Sequence, residues 1–409
     1  MAPNPTRDLF AMGTLLILAN GPVQFVARAI DLPGHWEGPF IRPLLLTVAI
    51  GGVLFIVLDS SGPLRTLNRR QRTVAGTALL FGLWGSMSTL WSVNPDVSLW
   101  RGFVYAAFGP LALVLVGLGD HRFIRALAAS FGTLLLLSMA VVVMWPGAGL
   151  DPAGDWRGVF GNRNSFAPAC GVAALAGIAM VPRRQVLGLS MTMLAIVGLV
   201  GGGSRTASLA LVVSVGLAST VVVGRKWSAH KPGPIVPSLV VGGAGAGLAT
   251  LVVCVARFWE EPTFVQRRII WDLLFDHIKD RPISGHGFQA FWSVPELIGQ
   301  HELLGRGSAH NSAVEVLLQT GVIGLVFWLT VVLTALGVTM VSAWRSPSMV
   351  SWLWFALVVF LIVENLTESY VNWFSYNWLL LIVAALGPLR SRPARVEHRT
   401  SQPNAEANA

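Results

Sequence analysis

Apolar residues in this chain come in runs of about 15 to 28, separated by short breaks rich in arginine, glycine or proline. An α-helix needs roughly 20 such residues to cross a bilayer. Runs at 9–30, 41–58, 73–91, 98–118, 123–145, 164–181, 186–201, 207–224, 235–256, 316–343, 349–366 and 375–389 predict an all-α polytopic membrane protein with about twelve transmembrane helices. Asn20, Gly21 and Pro22 interrupt the first run, and Arg28 stands near its end. The pattern divides the chain into an N-terminal bundle of about nine spans (1–256), a long loop (257–315), three C-terminal spans (316–390) and a polar, disordered tail (391–409). Arg7 and Asp8 precede a run too long and too interrupted for a secretory signal.

Composition supports the same class. Hydrophobic residues make up 54% of the 409 and charged residues 12%, against about 25% charged in a soluble domain. An ordinary soluble enzyme and a disordered chain are both excluded. A net charge of +9 would suggest a polyanion partner, but the positions of the cations explain it otherwise. With both termini in the cytoplasm, 17 of the 29 Lys and Arg fall on inside segments, from Arg7 through Arg69, Arg125, Arg184 and Arg225 to Arg345 and the tail. This is the positive-inside bias that orients membrane proteins, and it argues against nucleic-acid binding. Cys170 and Cys254 each lie inside a span and read as small packing residues.

The loop 257–315 is then on the outer face. Apolar residues at 265, 269, 270, 273, 274 and 278 have helical spacing, and Pro282 ends that helix. Arg268 has Asp272 four residues on, so a local ion pair suffices for it. Arg267 has Trp271 at that spacing and no carboxylate on its own face. It either stacks on Trp271 or binds an external anion. His310, near the mouth of the next span, could accept a proton near neutral pH or be a surface histidine in a wet loop.

Further arginines gather at outer span ends. Arg205 sits in the short turn Gly201-Gly202-Gly203-Ser204-Arg205-Thr206 and either anchors at the interface or points into the bundle. Arg101 follows Trp100, while Arg157 and Arg163 share one outer loop, with Asp155 a candidate partner for Arg157. Outer arginines in a protein that otherwise keeps its cations inside suggest an anionic substrate, and the planar guanidinium suits phosphate. Gly242 to Gly247 lacks the Lys-Ser/Thr of a phosphate loop and reads as close helix packing.

Four segments together are more specific. Arg267-Arg268-Ile269-Ile270-Trp271, Arg281-Pro282-Ile283-Ser284-Gly285-His286-Gly287-Phe288, His310-Asn311-Ser312-Ala313-Val314-Glu315 and Gly321-Val322-Ile323-Gly324-Leu325 resemble the signature region of the O-antigen ligase and polymerase superfamily. Ser204-Arg205-Thr206-Ala207 and Gly161-Asn162-Arg163-Asn164 resemble its exopolysaccharide-polymerase branch. The resemblance implies a metal-independent, inverting glycosyltransferase without a cofactor. Such enzymes take a glycan from a polyprenyl diphosphate and join it to an acceptor hydroxyl on the outer face of the membrane.

By position, the resemblance implies diphosphate-binding roles for Arg205 and Arg267 and makes His310 the active-site histidine. Arg268, Arg163, Asn164, Arg157 and Arg101 are expected to line the substrate site. Asn311 and Glu315 would orient His310 or bind sugar hydroxyls. His286 stands where small or apolar residues are usual, which leaves open a second histidine near the site. A secondary transporter is the rival from another class, but the polar signals lie at the outer face rather than the midplane.

Overall fold

In the computed structural model the described residues are 5–29, 42–58, 67–230, 262–294, 297, 307–371 and 375–387. The predicted span 235–256, the tail and Cys254 lie outside them. Among the described residues there are helices and no strand, only an isolated bridge between Leu150 and Trp156.

The expected breaks fall where the backbone demands them. Helix α1 (Pro5–Ala19) stops at Asn20, whose φ of 60° cannot continue a right-handed helix, and α2 (Gly21–Ala29) follows. Then come α3 (Arg42–Leu58), α4 (Arg69–Met87), α5 (Pro95–Ala106), α6 (Phe108–Val116) and α7 (Asp120–Met144). The run 98–118, read as one span, is split at Ala107 between α5 and α6. After the turn Pro146–Gly149 come α8 (Arg163–Met180), α9 (Gln185–Gly201) and α10 (Arg205–His230). The loop helix α11 covers Pro262–Asp280, and α12 (Ser312–Arg345), α13 (Met349–Asn365) and α14 (Tyr376–Leu386) complete the series. Asn68, Asn94, Asn162 and Ser348 cap α4, α5, α8 and α13 through their side chains, satisfying first-turn N–H groups.

Among the described residues, five helical segments are long and apolar enough to cross a membrane: Arg69–Leu90, Pro95–Val116, Asp120–Met144, Arg205–Trp227 and Ser312–Arg345. Shorter apolar helices are α3, α9, α13 and α14. Every residue of α14 is buried, as in a helix that is hydrophobic all round and runs through the centre of a bundle. Outward faces are apolar too: Val186 is 80% exposed and Val200 74%. Such surfaces suit lipid as the solvent.

The 34 residues of α12 would make about 51 Å of straight helix, far more than the ~30 Å hydrocarbon core. A break at Gly321 (φ 64°) divides it. The loop 281–288 fills the break. Val322 N–H donates to Pro282 O, while His286 and Gly287 N–H groups donate to the orphaned carbonyls of Leu318 and Gln319, at 2.9, 3.0 and 3.0 Å. A Cβ on Gly321 would come within 2.1 Å of Ile283 O, so the close approach requires glycine.

Candidate functional site

The site is assembled on the outer part of α12 and the turn before it. His310 has a φ of 49°, uncommon for a residue with a side chain, and the turn is held from both sides. Ala309 N–H donates to Glu315 Oε2 (2.7 Å), Trp271 Nε1 of α11 donates to Ala309 O (2.8 Å), and His310 N–H donates to Ser308 Oγ (3.1 Å). Asn311 caps α12, its Oδ1 accepting from Ala313 and Val314 N–H. Helix α11 reaches this turn because Ile270, Leu274 and Ile278, four residues apart, pack with Phe291, Ala309 and Leu318.

The segment after α13 closes over the turn. Asn311 Nδ2 donates to Leu366 O, Asn311 N–H to Ser369 Oγ, and Ser312 Oγ to Glu368 O. These bonds present the Glu368 carboxylate to three segments at once. Its Oε1 accepts from Arg267 Nη2 at 2.9 Å and from Asn164 Nδ2 at 3.0 Å, and its Oε2 lies 3.0 Å from His310 Nδ1. The side chains of Arg267, Glu368 and His310 are 14%, 16% and 18% exposed, so the cluster is largely withdrawn from water and weakly screened. A carboxylate only accepts, so Nδ1 carries a proton in this contact, and in the neutral form of the ring Nε2 is the acceptor. Below it, Tyr370 Oη donates to Glu364 Oε2 (2.7 Å) and lies 3.3 Å from Asn164 O. Burial and the neighbouring Glu364 hold the Tyr370 hydroxyl well above the usual phenol range. Glu364 Oε1 is buried with no hydrogen-bond partner among the described residues.

Beside Asn164, Arg163 pairs with Asp155. The Asp155 loop abuts the turn that carries Arg205: Trp156 N–H donates to Gly201 O (2.9 Å), and Gly203 lies against the Asp155 carboxylate. Arg205 itself is exposed at the start of α10.

Several expectations change in detail. Arg267 has no carboxylate on its own face of α11 in the sequence, but the fold supplies Glu368 from 101 residues away. Asp155 pairs with Arg163 rather than Arg157. The backbone of Arg157 and Gly158 bonds Gly149 O, bringing the Arg157 guanidinium onto the carbonyls of Ala148 and Gly147. Glu315 is fully buried, its oxygens taken by Ala309 N–H, Trp292 Nε1 and Gln319 Nε2, so it is tied into the turn that carries His310. Asn311 is likewise engaged as cap and clamp.

Arg101 donates to Gln289 O (3.1 Å) and braces the 281–290 loop. His286 donates from Nε2 to His277 O (2.8 Å) beside the Phe291 ring, and burial lowers its pKa below the usual histidine range. Arg268 is exposed on α11. Glu368 was not singled out in the sequence. The signal was present: Glu364 and Glu368 are the only charged residues between Arg345 and Arg390.

Helices throughout the described residues, several of them long and apolar, with a polar cluster at one end of the bundle, give the build of a polytopic membrane protein. Residues 190–329 match the family model described as O-antigen ligase. The chain is also similar to the exopolysaccharide production protein ExoQ of Rhizobium meliloti (strain 1021), with 24% identity over 280 residues, 62% of this chain and 63% of that protein. Together they support an O-antigen ligase or polymerase-like family for the chain. Arg205, Arg267 and His310 fall inside the family match, whereas Asn164 and Glu368 fall outside it.

Proposed function

We propose that the protein is a membrane glycosyltransferase that moves a glycan from a polyprenyl diphosphate of the undecaprenyl type to an acceptor hydroxyl, in polysaccharide polymerisation or ligation. The observation that carries this reading is the convergence on Glu368 of Arg267, His310 and Asn164 from three separate segments. Arg267 and His310 had been marked from their own sequence setting as well as by the resemblance, and Asn164 by the resemblance alone.

In the reaction, the acceptor O–H gives its proton to His310 Nε2 as its oxygen attacks the anomeric carbon from the face opposite the diphosphate. The bond from that carbon to the diphosphate oxygen breaks, its electron pair goes to the leaving diphosphate, and the anomeric configuration inverts. Arg267 and Arg205 stabilise the growing charge without a metal ion. Glu368 holds the ring in the tautomer whose Nε2 is free to accept. Asn164 and Arg163 keep the neighbouring loop in place. The active site faces outward on an inner or plasma membrane, both termini are cytoplasmic, and about twelve helices span the bilayer. Membrane lipids and a glycan or lipid-linked glycan acceptor are its partners. Polymerisation is the preferred branch, from the Gly161–Asn164 resemblance and the similarity to an exopolysaccharide production protein.

The test is the glycan profile of cells lacking the protein, complemented with wild type or His310→Ala. Loss of long polymer with single repeat units still attached to the acceptor supports a polymerase. An empty acceptor with lipid-linked polymer accumulating supports a ligase. A normal profile with inserted His310→Ala protein refutes the mechanism, and solute uptake by liposomes without glycan product would favour a transporter.

A further inference from the structure

At the other end of the bundle the structure has a second feature, independent of the reading above. Helix α8 runs from Arg163, beside the candidate site, to Met180, which is about 27 Å along the axis. There a lateral groove of about 580 Å³ opens between α7 and α9, with Met180 at its edge. That volume falls within the range of small-molecule sites, about 300–1,000 Å³.

The groove is apolar along its length and basic at its rim. Buried Ala128, Leu135 and Met191 form its floor beside Gly132 and Leu194, Leu136 lines its open side, and the exposed Arg125 and Arg184 complete its lining. Both arginines are exposed, and neither is paired with a carboxylate among the described residues. Gly132 gives the groove its depth, since a Cβ there would meet only Met191 Sδ and Cε, at 3.7 Å. From Arg125 to Leu136 the wall rises about 16 Å, half the ~30 Å hydrocarbon core, or one leaflet. A cationic rim over a leaflet-deep apolar slot matches an acyl chain with a phosphate headgroup. A soluble anion has no use for the slot, and a zwitterionic lipid, whose phosphate charge is offset by its own cation, is attracted less by the arginines than an anionic one.

We propose that this groove is a binding site for an anionic phospholipid, with an acyl chain between α7 and α9 and the phosphate held by Arg125 and Arg184. The lipid fills the gap between two helices that otherwise meet poorly on this side, and it does so on the leaflet opposite the candidate site.

The experiment titrates the purified full-length protein with phosphatidylglycerol or phosphatidylcholine and counts bound lipid by native mass spectrometry. Wild type is expected to prefer phosphatidylglycerol, and the double variant Arg125→Gln/Arg184→Gln to bind it roughly 30-fold more weakly, the combined effect of two arginines near a headgroup. Gly132→Leu, which keeps both arginines and fills the slot, should also weaken binding. Arg345→Gln, which removes a basic residue off the groove, should not. Equal affinity for both lipids, unchanged binding in the double variant or in Gly132→Leu, or an equal loss in Arg345→Gln overturns the proposal. So does competition by inorganic phosphate as strong as that by the lipid, which would make this a simple anion site.

Discussion

Replacing Glu368 by glutamine tests the centre of the site with almost no change in shape. The carboxylate makes two charge-assisted contacts, to Arg267 at 2.9 Å and to His310 at 3.0 Å, with all three side chains less than a fifth exposed. Hydrogen bonds to charged groups contribute about 1.5–3 kcal/mol each. The amide can keep its oxygen toward Arg267 and Asn164, so the expected loss of stability is about 2–3 kcal/mol. The effect on catalysis should be larger. With its oxygen on Arg267, the amide presents N–H to His310 Nδ1, which must then accept, and the ring proton moves to Nε2 where a base is needed. Amide replacement of a carboxylate that orients a catalytic histidine costs on the order of 10⁴ in kcat, and we expect a loss of about 10²–10⁴ here, or about 3–5 kcal/mol of barrier. The assay is transfer of glycan by purified protein, with membrane insertion and thermal unfolding measured on the same preparation. Activity within twofold of wild type in properly inserted Glu368→Gln protein would refute the orienting role.

Other outcomes follow from the same geometry. Gly321→Ala, which puts a methyl 2.1 Å from Ile283 O at a φ of 64°, should destabilise by more than about 2 kcal/mol, read as a lower melting temperature. Glu315→Gln gives three facing donors an amide in place of a carboxylate. It should cost about 1–3 kcal/mol and lower transfer activity by loosening the Ala309–His310 turn. Asn311→Ala removes the α12 cap and should cost about 1 kcal/mol in thermal unfolding. Burial lowers the His286 pKa below its ordinary value of 6.5, so the unfolded chain binds a proton first as the medium is acidified. Stability linked to His286 is therefore complete above pH 6.5 and falls as the pH drops below it. His286→Asn should flatten that part of the melting curve against pH, and an unchanged slope would count against it.

The sequence was sufficient wherever one-dimensional periodicity decides the outcome. Most of the helices among the described residues, the amphipathic α11 and its stop before Pro282, and the break at Asn20 follow from apolar spacing and from residues that cannot continue a helix, whereas the breaks at Ala107 and Gly321 do not. Arg267 and His310 were legible because their motifs are local. Glu368 was harder: its meaning depends on Arg267, 101 residues earlier in the chain, and no periodicity links two such positions. A scan for lone charges in an apolar stretch would have marked it, without naming its partners.

What the sequence determined alone was the solvent this protein is built for and the grammar of its helices, because hydrophobicity and backbone preference act residue by residue. Only the tertiary structure decided which carboxylate pairs with which cation. It gave Asp155 to Arg163 and Glu368 to both Arg267 and His310, withdrew Glu315 into the interior, and let the 281–288 loop fill the break in α12. Charges and orphaned backbone groups withdrawn from water must find partners. Those partners are set by proximity in space, which the order of residues along the chain does not reveal.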